Sequence, residues 1–164
     1  ANSGPSTLDP NQATAVLSVT SFSGFGLHQI LSVHKSFPHY FQQFLFVSAA
    51  VVDSGNFKGA EGMGRLEEET VSNFEKYVAW AQGHGFAADY RMGVGTEAVA
   101  TVEALCVTLA EQFPRAIFFM GRLIFREEKW YHRILHNETP HAIQRRLQFQ
   151  GIQSVVLPIR VLDS

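Results

Sequence analysis

Two runs of nearly unbroken apolar residues, 44–52 (FLFVSAAVV) and 116–125 (AIFFMGRLIF), constrain the fold of this chain most strongly. Both are well short of the ~20 apolar residues that a helix needs to span a bilayer. Strands that are apolar at almost every position are typical of sheets covered by helices on both faces. The runs therefore predict central strands of a covered parallel sheet and not membrane spans.

Strand-like and helix-like segments alternate along the rest of the chain. We predict strands at 13–20, 44–52, 88–95, 115–125 and 154–162, and helices at 26–37, 65–82, 97–113 and, in two pieces, 127–150. This alternation predicts a three-layer α/β/α sandwich with a five-stranded parallel sheet and right-handed crossovers. Five strands of this length suggest a flavodoxin-like or adenine-nucleotide-hydrolase-like fold, and the expected strand order is 3-2-1-4-5. The more polar third strand and the fifth strand, which contains Pro158, belong at the edges.

Capping residues predict where the helices begin and end. Three consecutive glutamates, 67–69, suit the first turn of the second helix, where carboxylates favour the positive end of the helix dipole. Gly83 or Gly85 can end that helix in a left-handed conformation. Thr96 is the predicted cap of the third helix. Thr139 and Pro140 predict the start of the last helix, because proline is favoured in a first helical turn.

Composition limits the classes of function. The chain of 164 residues has a formal net charge of −2 and one cysteine, Cys106. This charge argues against a general attraction to nucleic acid or anionic lipid. One cysteine excludes an internal disulfide framework and suits a reducing compartment. Residues 1–12 (ANSGPSTLDPNQ) are expected to be a flexible linker or an expression remnant, and 13–164 a single domain.

The candidate binding site follows from the predicted strand order. Ligands of open parallel sheets bind beyond the carboxyl ends of the strands, where the winding direction reverses. That place is the junction of strands one and four, next to the turn 21–26 (SFSGFG). The candidate ligand-binding residues are Ser21, Ser23, Gly24, Gly26, Asp53, Gly121 and Arg122.

The glycine turn has two interpretations. It supplies two of the three glycines of a dinucleotide-binding loop; the third would fall at Gln29. The pair can be a tight corner that lets the first helix pack closely on its neighbours. Alternatively, backbone N–H groups at the start of the helix face a bound anion. Asp53, likewise, is either a ligand contact or an ordinary turn residue.

No catalytic constellation stands out. His132 and His136 share a helix face near Glu138 and His141, a spacing that can bind zinc, but there is no His-Glu-x-x-His motif and the predicted helix break scatters the further ligands that a zinc site needs. The cationic residues between 122 and 146 are diluted by glutamates, which favours a protein interface or an anion pocket over nucleic acid. Cys106 lies on an apolar helix stripe and is expected to be a buried, unreactive thiol. We therefore expect neither an enzyme nor a metal protein.

Several segments together carry a resemblance to a known family. They are GFGLHQILSVHKSFPHYFQQFLFVSAAVVDSGNFKG, YRMGVGTEAV, FPRAIFFMGRLIF, EEKWYHRILHNETPHAIQRRLQFQG and VVLPIRV. As a set they resemble the soluble C-terminal domain of bacterial permeases in the amino acid–polyamine–organocation superfamily. That domain looks distantly similar to universal stress proteins, some of which bind ATP.

The resemblance implies a regulatory or dimerisation domain on the cytoplasmic face of the bacterial inner membrane. Its partners would be the transmembrane domain of the same transporter and a second copy of itself. No cofactor is expected; an adenine nucleotide or cyclic dinucleotide at strands one and four is the alternative. The stress-protein nucleotide motif needs further glycines after Gly121, but the next glycine is Gly151. That departure counts against nucleotide binding through the glycine motif of the universal stress proteins.

Overall fold

A computed structural model of the chain describes residues 8–19, 24–51, 59–124 and 139–160. Within these ranges it has five strands and four helices. The strands are β1 (Thr14–Ser18), β2 (Gln43–Val51), β3 (Ala87–Gly95), β4 (Ala116–Ile124) and β5 (Ser154–Arg160). The helices are α1 (Gly24–Ser36), α2 (Gly59–Gly83), α3 (Ala98–Gln112) and α4 (Thr139–Phe149).

The strands form one parallel sheet in the order β3-β2-β1-β4-β5. This confirms the predicted order 3-2-1-4-5 and the edge positions of β3 and β5. Alternate residues of each strand face opposite sides of the sheet. Leu17 belongs to a core cluster with residues of α1 and α2, whereas Val16 belongs to a cluster with residues of α3 and α4. The sheet therefore lies between two helical layers.

Aromatic side chains fill the layer between the sheet and α2. Phe46 stacks on Tyr77 with ring centroids 5.4 Å apart, and Phe74 stacks on Tyr90 at 4.8 Å. Phe46, Phe74 and Tyr77 are at most 1% exposed. Because these rings touch across the sheet–helix interface, α2 is held on β2 and β3.

The start of α2 differs from the prediction. The helix begins at Gly59, so the glycine-rich segment GAEGMG is helical rather than a loop. Residues 67–69 consequently lie beyond the first turn, and their expected role at the helix dipole is wrong. Glycine disfavours helix by only about 1 kcal/mol per residue, which tertiary packing can override. At the other end, Gly85 has φ +86°, so of the two predicted candidates it takes the left-handed conformation.

The predicted cap of α3 is also wrong. Glu97, not Thr96, is the N-cap residue, in extended conformation and with no side-chain hydrogen bond to the helix. The helix also packs closely on β3. A Cβ at Gly93 would lie 2.8 Å from Cγ2 of Thr101, so the glycine is needed for the close approach of α3. The apolar stripe of α3 is as predicted, with Val102, Cys106 and Leu109 buried.

Residues 8–12 are hydrogen-bonded to the amino end of the sheet. The buried Gln43 side chain donates from Nε2 to the Asp9 carbonyl at 2.8 Å and accepts the Asp9 N–H at 3.1 Å. The same Nε2 donates to the Thr14 hydroxyl at 2.6 Å. The division into a linker, 1–12, and a domain stays a prediction. In the described ranges no helix is long and apolar enough to cross a membrane.

Candidate functional site

β1 ends earlier than its two neighbours at the carboxyl edge of the sheet, and we call this step between the described strand ends the notch. β1 ends at Ser18, which lies opposite Val47 of β2 and Met120 of β4. β2 continues through residues 48–51 and β4 through residues 121–124, so both neighbours extend four residues further. The Val19 N–H donates to the Val47 carbonyl at 2.9 Å, and this bond forms the floor of the notch.

Standard sheet geometry gives the approximate size of this notch. Four residues of strand span ~13 Å, and two inter-strand spacings separate β2 from β4 by ~10 Å. The notch lies where β1 and β4 are neighbours and the chain winds outward in both directions, which is where ligands of open parallel sheets bind.

The first turn of α1 follows β1 at this carboxyl edge. The helix begins at Gly24, so Gly24 and Gly26 lie inside its first turn and not in a loop before it. The predicted helix start at residue 26 is therefore two residues late. Because no acidic side chain occupies this first turn, the positive end of the helix dipole is not neutralised by the helix itself.

The two glycines have different surroundings. A Cβ at Gly26 would lie 2.8 Å from Cε1 of Tyr77 and closer still to Cζ and the hydroxyl group. At Gly24, which is exposed, a Cβ would meet nothing within 4 Å. Gly26 thus serves the close packing of α1 against α2, as the corner interpretation predicts. Gly24 leaves open space at the start of the helix.

A buried polar residue connects α1 to β4. Gln29, where the third glycine of a dinucleotide loop would fall, is 4% exposed. Its side-chain amide Nε2 donates to the Phe119 carbonyl at 3.4 Å. The contact holds α1 against the strand that forms one wall of the notch. Sequence reasoning treated Gln29 only as a missing glycine; the available signal was its spacing of four residues from Val33, which is fully buried on α1.

Comparison with known proteins identifies proteins of similar fold. No model of a known protein family and no curated protein matches the sequence. A universal stress protein from Burkholderia pseudomallei matches with a TM-score of 0.57 at 13% identity, over 90% of this chain and 96% of its own. One from Archaeoglobus fulgidus gives 0.58 at 9% identity, over 91% and 94%. A universal stress protein in complex with cAMP gives 0.55 at 16%, over 92% and 98%.

The chain has a universal-stress-protein-like fold. Identities this low establish the architecture and leave the function to the site itself.

The structure of this universal-stress-protein-like fold describes some of the predicted site residues and not others. Ser21, Ser23 and Asp53 lie outside the described residues. Gly121 and Arg122 belong to the part of β4 that extends past β1, paired in register with Leu157 and Pro158 of β5. They form one wall of the notch, and Gly24 lies at the start of the helix that follows its floor.

Other reactive groups of the universal-stress-protein-like fold lie away from the notch. Cys106 is buried between α3 and the sheet, where burial raises the pKa of its thiol to about 12. A thiol with that pKa stays protonated and unreactive at neutral pH. Of the histidine cluster, only His141 falls in the described ranges, and these ranges contain no group of three metal-ligating side chains.

Proposed function

We propose that this chain is a non-catalytic regulatory domain that binds an adenine nucleotide in the notch between β2 and β4. The observation that carries the proposal is the early end of β1 at the switch point of the sheet, next to a helix that begins with the exposed Gly24. The universal stress protein solved in complex with cAMP, whose fold is similar, supports an adenine nucleotide as the ligand class.

The start of α1 is the proposed phosphate contact. The amino end of a helix is the positive end of its dipole, which suits an anion. Gly24, the first residue of α1, carries no side chain that would block an approach to this end. Gly26 helps indirectly, since its contact with Tyr77 fixes the direction of the helix.

Binding is tested first by thermal denaturation with ATP, ADP, AMP, cAMP and cyclic dinucleotides, with and without Mg²⁺. A ligand at 100 times its Kd adds about 2.7 kcal/mol to the free energy of unfolding. We expect at least one adenine nucleotide to raise Tm. If no nucleotide in the panel changes Tm, the proposed binding function is refuted.

A charge placed at Gly24 then tests the site. Gly24→Glu fits the open space and should leave the fold intact, because a carboxylate suits the start of a helix. It should weaken binding about tenfold or more through repulsion of the phosphate. Gln42→Glu is the matched control, since it adds the same charge at an exposed position at the amino edge of the sheet. Equal affinities for the two variants would place the ligand elsewhere.

We propose further that the domain regulates a bacterial amino acid permease from the cytoplasmic face of the inner membrane. The sequence resemblance described above supports this role. Cells that express the protein from its own gene can be fractionated and probed with an antibody against the domain. The proposal expects the signal in the membrane fraction at the mass of a full transporter. A band near 18.3 kDa in the soluble fraction would contradict it.

Homodimerisation through the β5 edge and α4 is the proposed form of assembly. Support comes from the position of β5 at the end of the sheet and from the exposed side chain of Phe149, 86% accessible at the end of α4. Sedimentation of the domain should show a dimer that Phe149→Ser weakens. If Phe149→Ser leaves the dimer affinity unchanged, α4 is not part of the interface.

A further inference from the structure

The side chain of Gln29 has more hydrogen-bonding capacity than the fold uses. A carboxamide offers two N–H donors on its nitrogen and an oxygen that can accept two hydrogen bonds. Gln29 is 4% exposed, and in the described part of the chain its side chain forms one hydrogen bond, from Nε2 to the Phe119 carbonyl. Because a carbonyl can only accept, this bond places the amide nitrogen, and not Oε1, against β4. One N–H group and the oxygen are left over.

The left-over groups of this amide are within reach of a ligand. The described ranges contain one fully enclosed polar side-chain atom without a partner, and it is Oγ of Ser154, not Oε1 of Gln29. Oε1, which has no partner in these ranges, therefore keeps contact with solvent. A largely buried amide with unmade hydrogen bonds is unfavourable, so a ligand that supplies the missing partners gains affinity.

The amide lies beside the proposed binding site. Phe119 is opposite Leu17, one pair before the last described pair of β1 and β4. Its carbonyl, and the amide that bonds to it, are thus close to the level at which β1 ends. Gln29 follows Gly24 by five residues, which is ~7.5 Å along the axis of α1. The phosphate and the base of one nucleotide are separated by a comparable distance, since a ribose joins them.

The two left-over groups match one edge of adenine. Glutamine can pair with adenine through two hydrogen bonds, in which its oxygen accepts from the N6 amino group and its N–H donates to N7. Guanine and hypoxanthine carry an oxygen at position 6, so they place an acceptor opposite Oε1. Two facing acceptors repel, and the mismatch is most unfavourable in apolar surroundings. The surroundings here are apolar, since Leu17, Ile30 and Phe119 belong to one core cluster.

We propose that Gln29 selects adenine over purines with an oxygen at position 6. This role rests on the proposed nucleotide binding, and it names the part of the ligand that the end of the sheet recognises: the N6 and N7 edge of the base, with the phosphate at the start of α1. A Gln29 that only holds α1 on β4 would leave the preference for one base over another unchanged.

The unmodified chain gives the first test, because no variant has to fold. Calorimetry compares the adenine nucleotide that raises Tm most with its inosine counterpart, for example AMP with IMP or ATP with ITP. The adenine nucleotide should bind about tenfold more tightly, a difference of ~1.4 kcal/mol. Equal affinities would overturn the role of Gln29 and leave nucleotide binding itself in place. If no nucleotide binds at all, the proposed function and this role fail together.

Gln29→Met then assigns the preference to this side chain. Methionine is flexible, apolar and of similar length, so it fills the same space and lacks both hydrogen-bonding groups. Loss of the contact with Phe119 can weaken binding of both nucleotides, so the measured quantity is the ratio of the two affinities. The preference for adenine should disappear in Gln29→Met and persist in the control Gln42→Met, which replaces an exposed amide at the amino edge of the sheet. A preference that persists in Gln29→Met would overturn the proposal.

Discussion

Replacing Gly26 with alanine would test whether the first turn of α1 is built for close packing. The new Cβ would lie 2.8 Å from Cε1 of Tyr77 and closer to its outer atoms, whereas ordinary contacts begin near 3.4 Å. Tyr77 is 1% exposed and stacks on Phe46. The ring therefore cannot give way without leaving its place in the core, and α1 cannot give way without disturbing Gln29 and its contact with β4.

The size of the effect follows from three contributions. Overfilling a packed core costs about 1–3 kcal/mol, and losing the aromatic stack costs about 0.5–1.5 kcal/mol. The higher helix propensity of alanine offsets at most about 1 kcal/mol. We expect a net loss of about 2 kcal/mol in the free energy of unfolding. For a domain of this size that lowers Tm by about 4–8 °C.

Urea denaturation followed by circular dichroism would measure this loss, with Gly24→Ala as the control. Gly24 has open space, so alanine there should leave stability unchanged or raise it by up to about 1 kcal/mol. In a Tyr77→Leu background the shorter side chain leaves room for a Cβ, and most of the Gly26→Ala effect should vanish. Equal stabilities of the two glycine variants, or an unchanged loss in the Tyr77→Leu background, would refute the packing role.

Two further predictions concern buried polar groups. Gln43→Ala removes a hydrogen-bond partner of Thr14 and Asp9 and should lower the free energy of unfolding by about 1–3 kcal/mol. Proteolytic cleavage near residue 9 should become faster, and an unchanged cleavage rate would show that Gln43 does not hold this segment. Burial raises the pKa of the Cys106 thiol to about 12 in the folded state, against an ordinary value of 9.0 in the unfolded chain. The folded state therefore binds the thiol proton more tightly, and the free energy of unfolding falls as pH rises above 9. Between pH 9 and 10.5 the unmodified protein should lose up to about 1.4 kcal/mol per pH unit more than Cys106→Ala, and parallel denaturation curves would contradict the burial of the thiol.

The proposed dimer interface and the proposed ligand site lie on different elements. Phe149 lies at the end of α4, whereas Gly24 lies at the start of α1. If dimerisation and nucleotide binding both occur, variants at Phe149 and at Gly24 should affect one property each.

The sequence by itself determined the architecture. The apolar runs 44–52 and 116–125 could be stable only as central strands, because a strand without a polar face must be covered on both sides. Alternation with amphipathic helices then left a parallel sheet with right-handed crossovers, and the order 3-2-1-4-5 followed. The polar β3 and the proline in β5 were assigned to edges for local reasons that hold in the structure. The buried stripe of α3, including Cys106, was also correct.

Tertiary structure alone decided where helices begin and what the candidate site is made of. Local propensity assigned GAEGMG to a loop and Thr96 to a cap, yet α2 begins at Gly59 and Glu97 is the N-cap residue of α3. A glycine motif cannot reveal that Tyr77 fills the space beside Gly26 while Gly24 faces open space. The notch depends on how far β1, β2 and β4 extend relative to each other. Such features arise from register and packing between distant segments, which local sequence patterns do not encode.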